Sequence, residues 1–335
     1  MLACFLPEWI YEDGIGEARA ALVEDGAIIE ALIEVEGAGP RAGAVIEGRL
    51  TTIAISARRG FVTLPDGTEV LVEPLVREWT QGAWVRIVIT REVVAERDRI
   101  KRTKGRPAPE AELAEGSGLL ARIGETGIPV RTLALHQPDV LEAAGWSELI
   151  ESAQNGLWPF AGGELRISPT SAMTLIDVDG HLDVAPLALA AATAAGQAIR
   201  AFGLAGSIGI DFPTLGGKEA RTAVAAAFDA ALPLPFERTA VNGFGFMQVI
   251  RPRTRASLIE QVITDPDGHA ARTLLRRIDR EGRTGAILLV VNPRVNTVLE
   301  RHPAWLDRLG RHLGGAVNLQ SDAATPMSGG YAEPS

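Results

Sequence analysis

The segment from Thr174 to Phe212 constrains this chain most: two short apolar runs, LIDVDG at 175–180 and IGIDF at 208–212, flank a long Ala-rich stretch. Each run reads as a strand ending in Asp, and the stretch between them as a helix. Strand, helix and second strand form a crossover unit, which is right-handed and leaves its strands parallel and often adjacent. Asp177 and Asp211 then share one edge of an α/β layer. In open α/β sheets the carboxyl ends of strands line the ligand crevice, where two neighbouring carboxylates repel unless a divalent cation lies between them. Mg²⁺, a hard oxygen-seeking ion, suits that position. Asp179 points to the same face as Asp177 by the period of two and is a candidate third oxygen donor. Asp at strand ends also caps helices and turns, and the residues alone leave both readings open. DVDGHLD is not a calcium loop, because His181, Leu182 and Ala188 stand where Asp or Asn, Gly and Glu are required.

Upstream the periodicity changes. ARAALVEDG and AIIEALIEVEG alternate apolar and polar residues around Asp25-Gly26, which predicts an edge hairpin in residues 1–38 that needs a partner. From Ala44 the runs AVIEGRLTTIAI, RRGFVTL, TEVLVEPL and WVRIVITREV predict short strands at the spacing of a small OB-type barrel, residues 39–98. Residues 99–117 are charged, contain Pro107 and Pro109, and read as a linker. Beyond it, strands alternate with helices expected at Val140–Gln154, Gly217–Ala231, Ala271–Arg280 and Arg294–Leu313, giving an α/β layer and a small C-terminal α/β domain. DPDGH at 265–269 reads as a turn, and the last dozen residues as frayed.

The 335 residues suffice for two or three domains with their own cores. Cys4 is the only cysteine, which excludes an internal disulfide and a thiolate zinc cage. The acidic N-terminal stretch has no secretory pattern, and the Ala-rich run from Pro186 to Leu204 is interrupted by Gly196, Gln197 and Arg200, so a buried helix and a cytoplasmic protein without a membrane role are expected. A net charge of −9 argues against a whole-surface nucleic-acid binder. Basic residues cluster locally, however, in the run Arg97, Arg99, Lys101, Arg102, Lys104, Arg106 and in Arg251, Arg253, Arg255. Each cluster reads equally as a solvated face. The five histidines do not cluster at metal-ligand spacing, and Trp146, Trp158 and Trp305 read as core anchors.

Taken in order along the chain, these segments resemble the ribonuclease E/G family. EARAALVEDGAIIEALIE resembles its N-terminal hairpin, AVIEGRLTTIAISARRGFVTLPDGTEVLVEPL its S1-type barrel, and IESAQNGLWPFAGGELRI the approach to its catalytic strand. LIDVDG, GLAGSIGIDF and GFGFMQVIRPR are similar to three catalytic-domain motifs, and AILLVVNPRVNTVLERH with GGAVNLQ to the small C-terminal domain. The resemblance implies a remnant of an RNase H-like domain at 118–160, a DNase I-like catalytic domain at 161–255 and the small domain at 256–335. It implies a metal-dependent endoribonuclease that cleaves single-stranded RNA, with Asp177 and Asp211 as ligands of Mg²⁺, or of Mn²⁺. Asp179 stands where the family has an Asn that donates to the scissile phosphate.

The same resemblance places RNA contacts on Phe61, with Arg58 and Arg59 before it, and on Arg251 and Arg253. By residue pattern alone Phe61 fits either the barrel core or the RNA face. The family's second stacking aromatic falls at Leu71, its second catalytic-region Asp at Thr214 and a Glu at Gln248. The segment that senses a 5′-monophosphate and the cysteines of the zinc link have no counterpart, so zinc is not expected and any homo-oligomer forms without it. The alternative expectation is a catalytically impaired RNA-binding protein of the same fold.

Overall fold

Alternation near the start of the chain produces three antiparallel strands, β1 (Glu8–Asp13), β2 (Glu17–Glu24) and β3 (Ala27–Val35). Asp25 and Gly26 join the last two at φ 49° and 81°, the positive values a type I′ turn requires. The computed structural model describes residues 6–54, 58–96 and 99–335; Cys4 and Arg97 lie outside them.

A closed barrel follows, built from β4 (Val45–Ala54), β5 (Arg59–Thr63), β6 (Glu69–Val72) and β7 (Trp84–Arg91). After a small hairpin of β8 (Val94–Ala95) and β9 (Ile100–Lys101), β10 (Lys104–Pro107) closes the barrel between β6 and β7. The expected linker therefore includes a barrel strand. KGRP has no strand pattern of its own; it is recruited because β6 and β7 would otherwise present unpaired edges. Leu50, Val62, Val70, Val72, Ile87 and Ile89 fill the barrel interior.

Next, α1 (Leu119–Gly124) covers one face of the first sheet, and β11 (Val130–Thr132) pairs parallel with β1 to give the order β11-β1-β2-β3. The hairpin expected as an edge is thus half of a four-stranded sheet. The helix expected at Val140–Gln154 is two, α2 (Val140–Ala143) and α3 (Trp146–Asn155), because Gly145 between them takes φ 96°.

The third sheet contains β12 (Leu157–Phe160), β13 (Gly163–Pro169) and β14 (Thr174–Gly180). The crossover helix α4 (Val184–Ala201) leads to β15 (Gly206–Asp211), then come α5 (Lys218–Ala231), β16 (Glu237–Arg238) and β17 (Phe246–Arg251). The strand order is β12-β13-β14-β15-β17-β16, and only β14 and β15 run parallel. By length and composition α4 could cross a membrane, yet 56% of it is buried inside the protein. It packs against β3 on one side and β12, β13 and β14 on another. Its small residues permit this: a Cβ at Gly196 would lie 2.7 Å from that of Ala231 on α5.

The C-terminal unit has α6 (Leu258–Thr264), α7 (Pro266–Arg280), β18 (Ile287–Val291), α8 (Pro293–Arg301), α9 (Pro303–Leu313), β19 (Val317–Ser321) and β20 (Tyr331–Pro334). DPDGH, expected as a turn, is the N-cap and first turn of α7: Asp265 accepts from the Gly268 amide at 3.1 Å and Pro266 occupies the first helical position. The helix expected at Arg294–Leu313 breaks at His302-Pro303. The C-terminus, expected to fray, pairs through β20 with β18. The whole is a mixed α/β protein with a closed five-stranded barrel and, among the described residues, nine helices.

A buried ionic lattice joins the C-terminal unit to the first sheet. Arg272, Arg276 and Arg280 recur every four residues, so they share one face of α7. Arg272 Nε and Arg276 Nη1 donate to Glu17 at 2.8 and 2.7 Å, and Arg280 and Arg19 both donate to Glu12. Arg19 also reaches Asp139 and lies 5.0 Å over the Trp146 ring. Burial disfavours the Glu17 carboxylate, but Arg276 and Arg272 outweigh it and hold its pKa below the ordinary value of 4.5. Burial likewise pulls the His269 imidazole below 6.5. Removing one partner of such a pair leaves an uncompensated buried charge, at about 3–5 kcal/mol. Glu17→Gln is therefore expected to lower unfolding stability by about that amount in denaturant titrations. Because the folded pKa of Glu17 is depressed, its contribution is complete above about pH 4.5 and is lost as pH falls through the lowered value. The pH dependence of wild-type stability in that acid range should be reduced in the variant.

Candidate active site

Strand parity sorts the six-stranded sheet into two faces. Ile176, Ile208 and Ile210 are buried on the helix side, so Leu175, Asp177, Asp179 and Asp211 point to the opposite, open face. The parallel register sets Asp177 directly opposite Asp211, on strands about 4.8 Å apart. Antiparallel pairing sets Arg166 of β13 beside Asp177 and Phe246 of β17 beside Asp211. One row across four strands therefore reads Arg166, Asp177, Asp211, Phe246.

The three aspartates differ in their partners. Among the described residues Asp177 and Asp211 make no side-chain hydrogen bond or ion pair, so two unpaired carboxylates stand side by side. Asp179 is drawn aside: Arg166 Nε donates to its Oδ2 at 2.7 Å while Nη2 donates to Glu164 at 2.8 Å. The hydrogen bond that Arg166 donates to Asp179, with the charges of Glu164, Asp179 and Asp177, holds the Arg166 guanidinium above the ordinary arginine pKa. Among the described residues no three His, Cys, Asp or Glu side chains gather to hold a metal ion by themselves. The donor set nevertheless fits Mg²⁺, which commonly takes one or two carboxylates and completes its shell with water and substrate phosphate.

Neighbouring polar groups are turned to the sheet. Gln248 Nε2 donates to Ser207 Oγ at 3.0 Å, and Thr214 Oγ1 donates to the Phe244 carbonyl at 3.4 Å. Phe244 itself is 83% exposed, in a turn where Asn242 Oδ1 accepts from the amides of Phe244 and Phe246 at 2.9 and 3.0 Å. Next to Asp211, the Phe246 ring lies over Gly209, where a Cβ would be 2.6 Å from it.

On the barrel, Gly60 and Val62 face inward, which turns Phe61 outward and half-buried. Leu71 is its cross-strand neighbour and Lys104 lies beyond Leu71, so the outer row reads Phe61, Leu71, Lys104. Arg102 lies 5.0 Å from the Phe61 ring centroid, a cation–π contact. Arg58 and Arg59 are exposed just before Phe61, with Arg58 at φ 45°.

Arg251 and Arg253 are not brought to the aspartates. Arg251 pairs with Gly206, five residues along β17 from Phe246, a separation of about 17 Å. Its Nη1 donates to the Leu204 carbonyl at 3.0 Å, and burial lowers its pKa. Arg253 is paired with Glu260 and Glu96. Both are committed to internal partners. The residues that sequence reasoning passed over are Arg166 and Phe244. Both lay inside segments that carry the resemblance, but Arg166 is singled out only by its register with Asp177, and the exposure of Phe244 is a property of the turn.

No protein-family model matches the chain, and no curated protein matches it.

Two unpaired carboxylates in register make a specific expectation about metal. Mg²⁺ should raise the melting temperature of the wild type and not that of Asp177→Asn or Asp211→Asn. In chelator each variant should melt at or above the wild type, because Asn keeps the shape and removes the repulsion. A retained Mg²⁺ shift in both variants, followed by scanning fluorimetry, would exclude the pair as the metal site.

Proposed function

We propose that the chain is a divalent-metal-dependent endoribonuclease of the ribonuclease E/G type, acting on single-stranded RNA. The observation that carries this reading is the in-register, unpaired Asp177–Asp211 pair on an open sheet face. An open face suits an extended polymer, whereas small ligands are held in concave pockets. On this reading the barrel is an S1-type OB fold, the first sheet with α1 to α3 is an RNase H-like remnant, and the six-stranded sheet is the DNase I-like catalytic layer. The protein acts in the cytoplasm, without a membrane or zinc, and any homo-oligomer lacks a zinc link.

In this scheme Asp177 and Asp211 would hold a divalent cation, Mg²⁺ or Mn²⁺, which when bound would supply Lewis-acid polarisation of a phosphate and a lowered pKa for a water. Asp179 is held by Arg166 and would be less available as a third oxygen donor. The barrel supplies Phe61 as a stacking platform, with Arg58, Arg59 and Arg102 around it for the backbone.

A second reading, an RNA-binding protein without catalysis, is favoured by the anchoring of Asp179, which cannot donate to a phosphate as a carboxylate. Incubating purified protein with an AU-rich single-stranded RNA and Mg²⁺ separates the two. Cleavage is expected, and Asp177→Asn and Asp211→Asn should each abolish it while RNA binding is kept. Binding without any metal-dependent cleavage would establish the second reading.

Phe61 gives an independent check. Phe61→Ala should weaken RNA binding by about 1–3 kcal/mol through lost stacking. Because the ring faces outward, the melting temperature should barely move. A buried Phe would instead cost about 3–5 kcal/mol of stability, so a large fall in melting temperature with unchanged RNA affinity would remove Phe61 from the RNA face.

A further inference from the structure

We propose that Arg166 and Phe244 bracket the aspartate pair as the substrate-holding residues of the sheet face, Arg166 taking a backbone phosphate and Phe244 stacking on a base of the same single strand. This rests on the ribonuclease reading and assigns residues that reading does not use.

The charge balance of the face requires a cation. Asp177, Asp179, Asp211 and Glu164 all stand on it, and a polyanion would be repelled. Among the strand positions of that face, from Leu157 and Pro159 through to Ile250 and Glu237, Arg166 is the only basic residue. It is exposed and in the same cross-strand row as the aspartates. Its Nε and Nη2 are engaged by Asp179 and Glu164, which fix the plane of the guanidinium, while Nη1 has no partner among the described residues. A planar fork held on one side and open on the other is suited to a phosphate oxygen.

Phe244 lies in the turn two residues before Phe246, the residue that ends the row beside Asp211. It precedes Gly245, whose carbonyl accepts from the Phe212 amide at 3.2 Å, so its turn is tied to the residue after Asp211. Asn242 and Thr214 fix the backbone on both sides of the ring. An aromatic residue 83% exposed on a hydrogen-bonded turn is left largely uncovered by the protein, and a base has the flat apolar surface to cover it.

The test is binding of a labelled AU-rich single-stranded RNA in chelator, as a function of salt. Arg166→Gln should reduce the slope of log affinity against log salt by about 0.7, the loss of one single-strand phosphate contact. Arg166→Lys, which keeps the charge, should restore it. Since Arg166→Gln also frees Asp179 to repel RNA, Arg166→Gln with Asp179→Asn is compared with Asp179→Asn alone, and the same slope change is expected. Phe244→Ala should weaken binding by about five- to a hundred-fold with the slope unchanged. Combined with Phe61→Ala, its effect should multiply, as for independent sites. Melting temperatures should not move. If the wild type binds RNA and either Arg166→Gln or Phe244→Ala behaves as wild type, the proposal is overturned and the ribonuclease reading survives on the barrel and the aspartates. If the wild type neither binds nor cleaves RNA, the reading itself falls and the proposal with it.

Discussion

The structure depends on one packing constraint, the burial of α4 between two sheets. A helix in contact with β3, with β12 to β14 and with α5 leaves little room at most of its contacts, and Ala188, Ala191, Ala192, Ala195 and Ala198 are all fully buried. Alanine also has the highest helix propensity, so close approach does not weaken the helix. Because α4 is the crossover between β14 and β15, its length and seating fix how far β15 runs before its Asp, and hence that Asp211 stands opposite Asp177. A slip of one residue would turn the aspartate inward, into the apolar layer.

Electrostatics divides the molecule in two. Many of its arginines are spent internally: Arg19, Arg272, Arg276 and Arg280 in the lattice beneath α7, Arg253 with Glu96 and Glu260, and Arg251 on a backbone carbonyl. A chain with net charge −9 that commits so many cations to its own folding has few left for phosphate. Among the exposed cations, Arg58, Arg59 and Arg102 lie around Phe61 on the barrel and Arg166 lies beside the aspartate pair on the sheet. The basic motif at 251–255 is engaged by internal partners at the end of β17 and the start of α6.

Local pattern carried much of the architecture. Alternation around Asp25-Gly26, the run of short strands after Ala44 and the strand–helix–strand unit ending at Asp211 each appear where expected, because period and turn chemistry are properties of neighbouring residues. The departures have a common cause. β10 is a strand only because two barrel edges await it, β20 only because β18 is beside it, and Gly145 and Pro303 split helices whose apolar pattern runs through them unchanged.

The candidate site divides along the same line. By itself the sequence determined that two aspartates end two apolar strands joined by one helix, since strand chemistry and crossover handedness are local or nearly so. Only the tertiary structure decided which residues stand beside them. Arg166 meets Asp177 and Phe246 meets Asp211 through antiparallel register, Phe61 turns outward through barrel closure, and Arg251 ends about 17 Å away because β17 runs against β15. Register between strands distant in the chain is set by how their apolar faces pack against a shared helix layer, and no single segment contains that information.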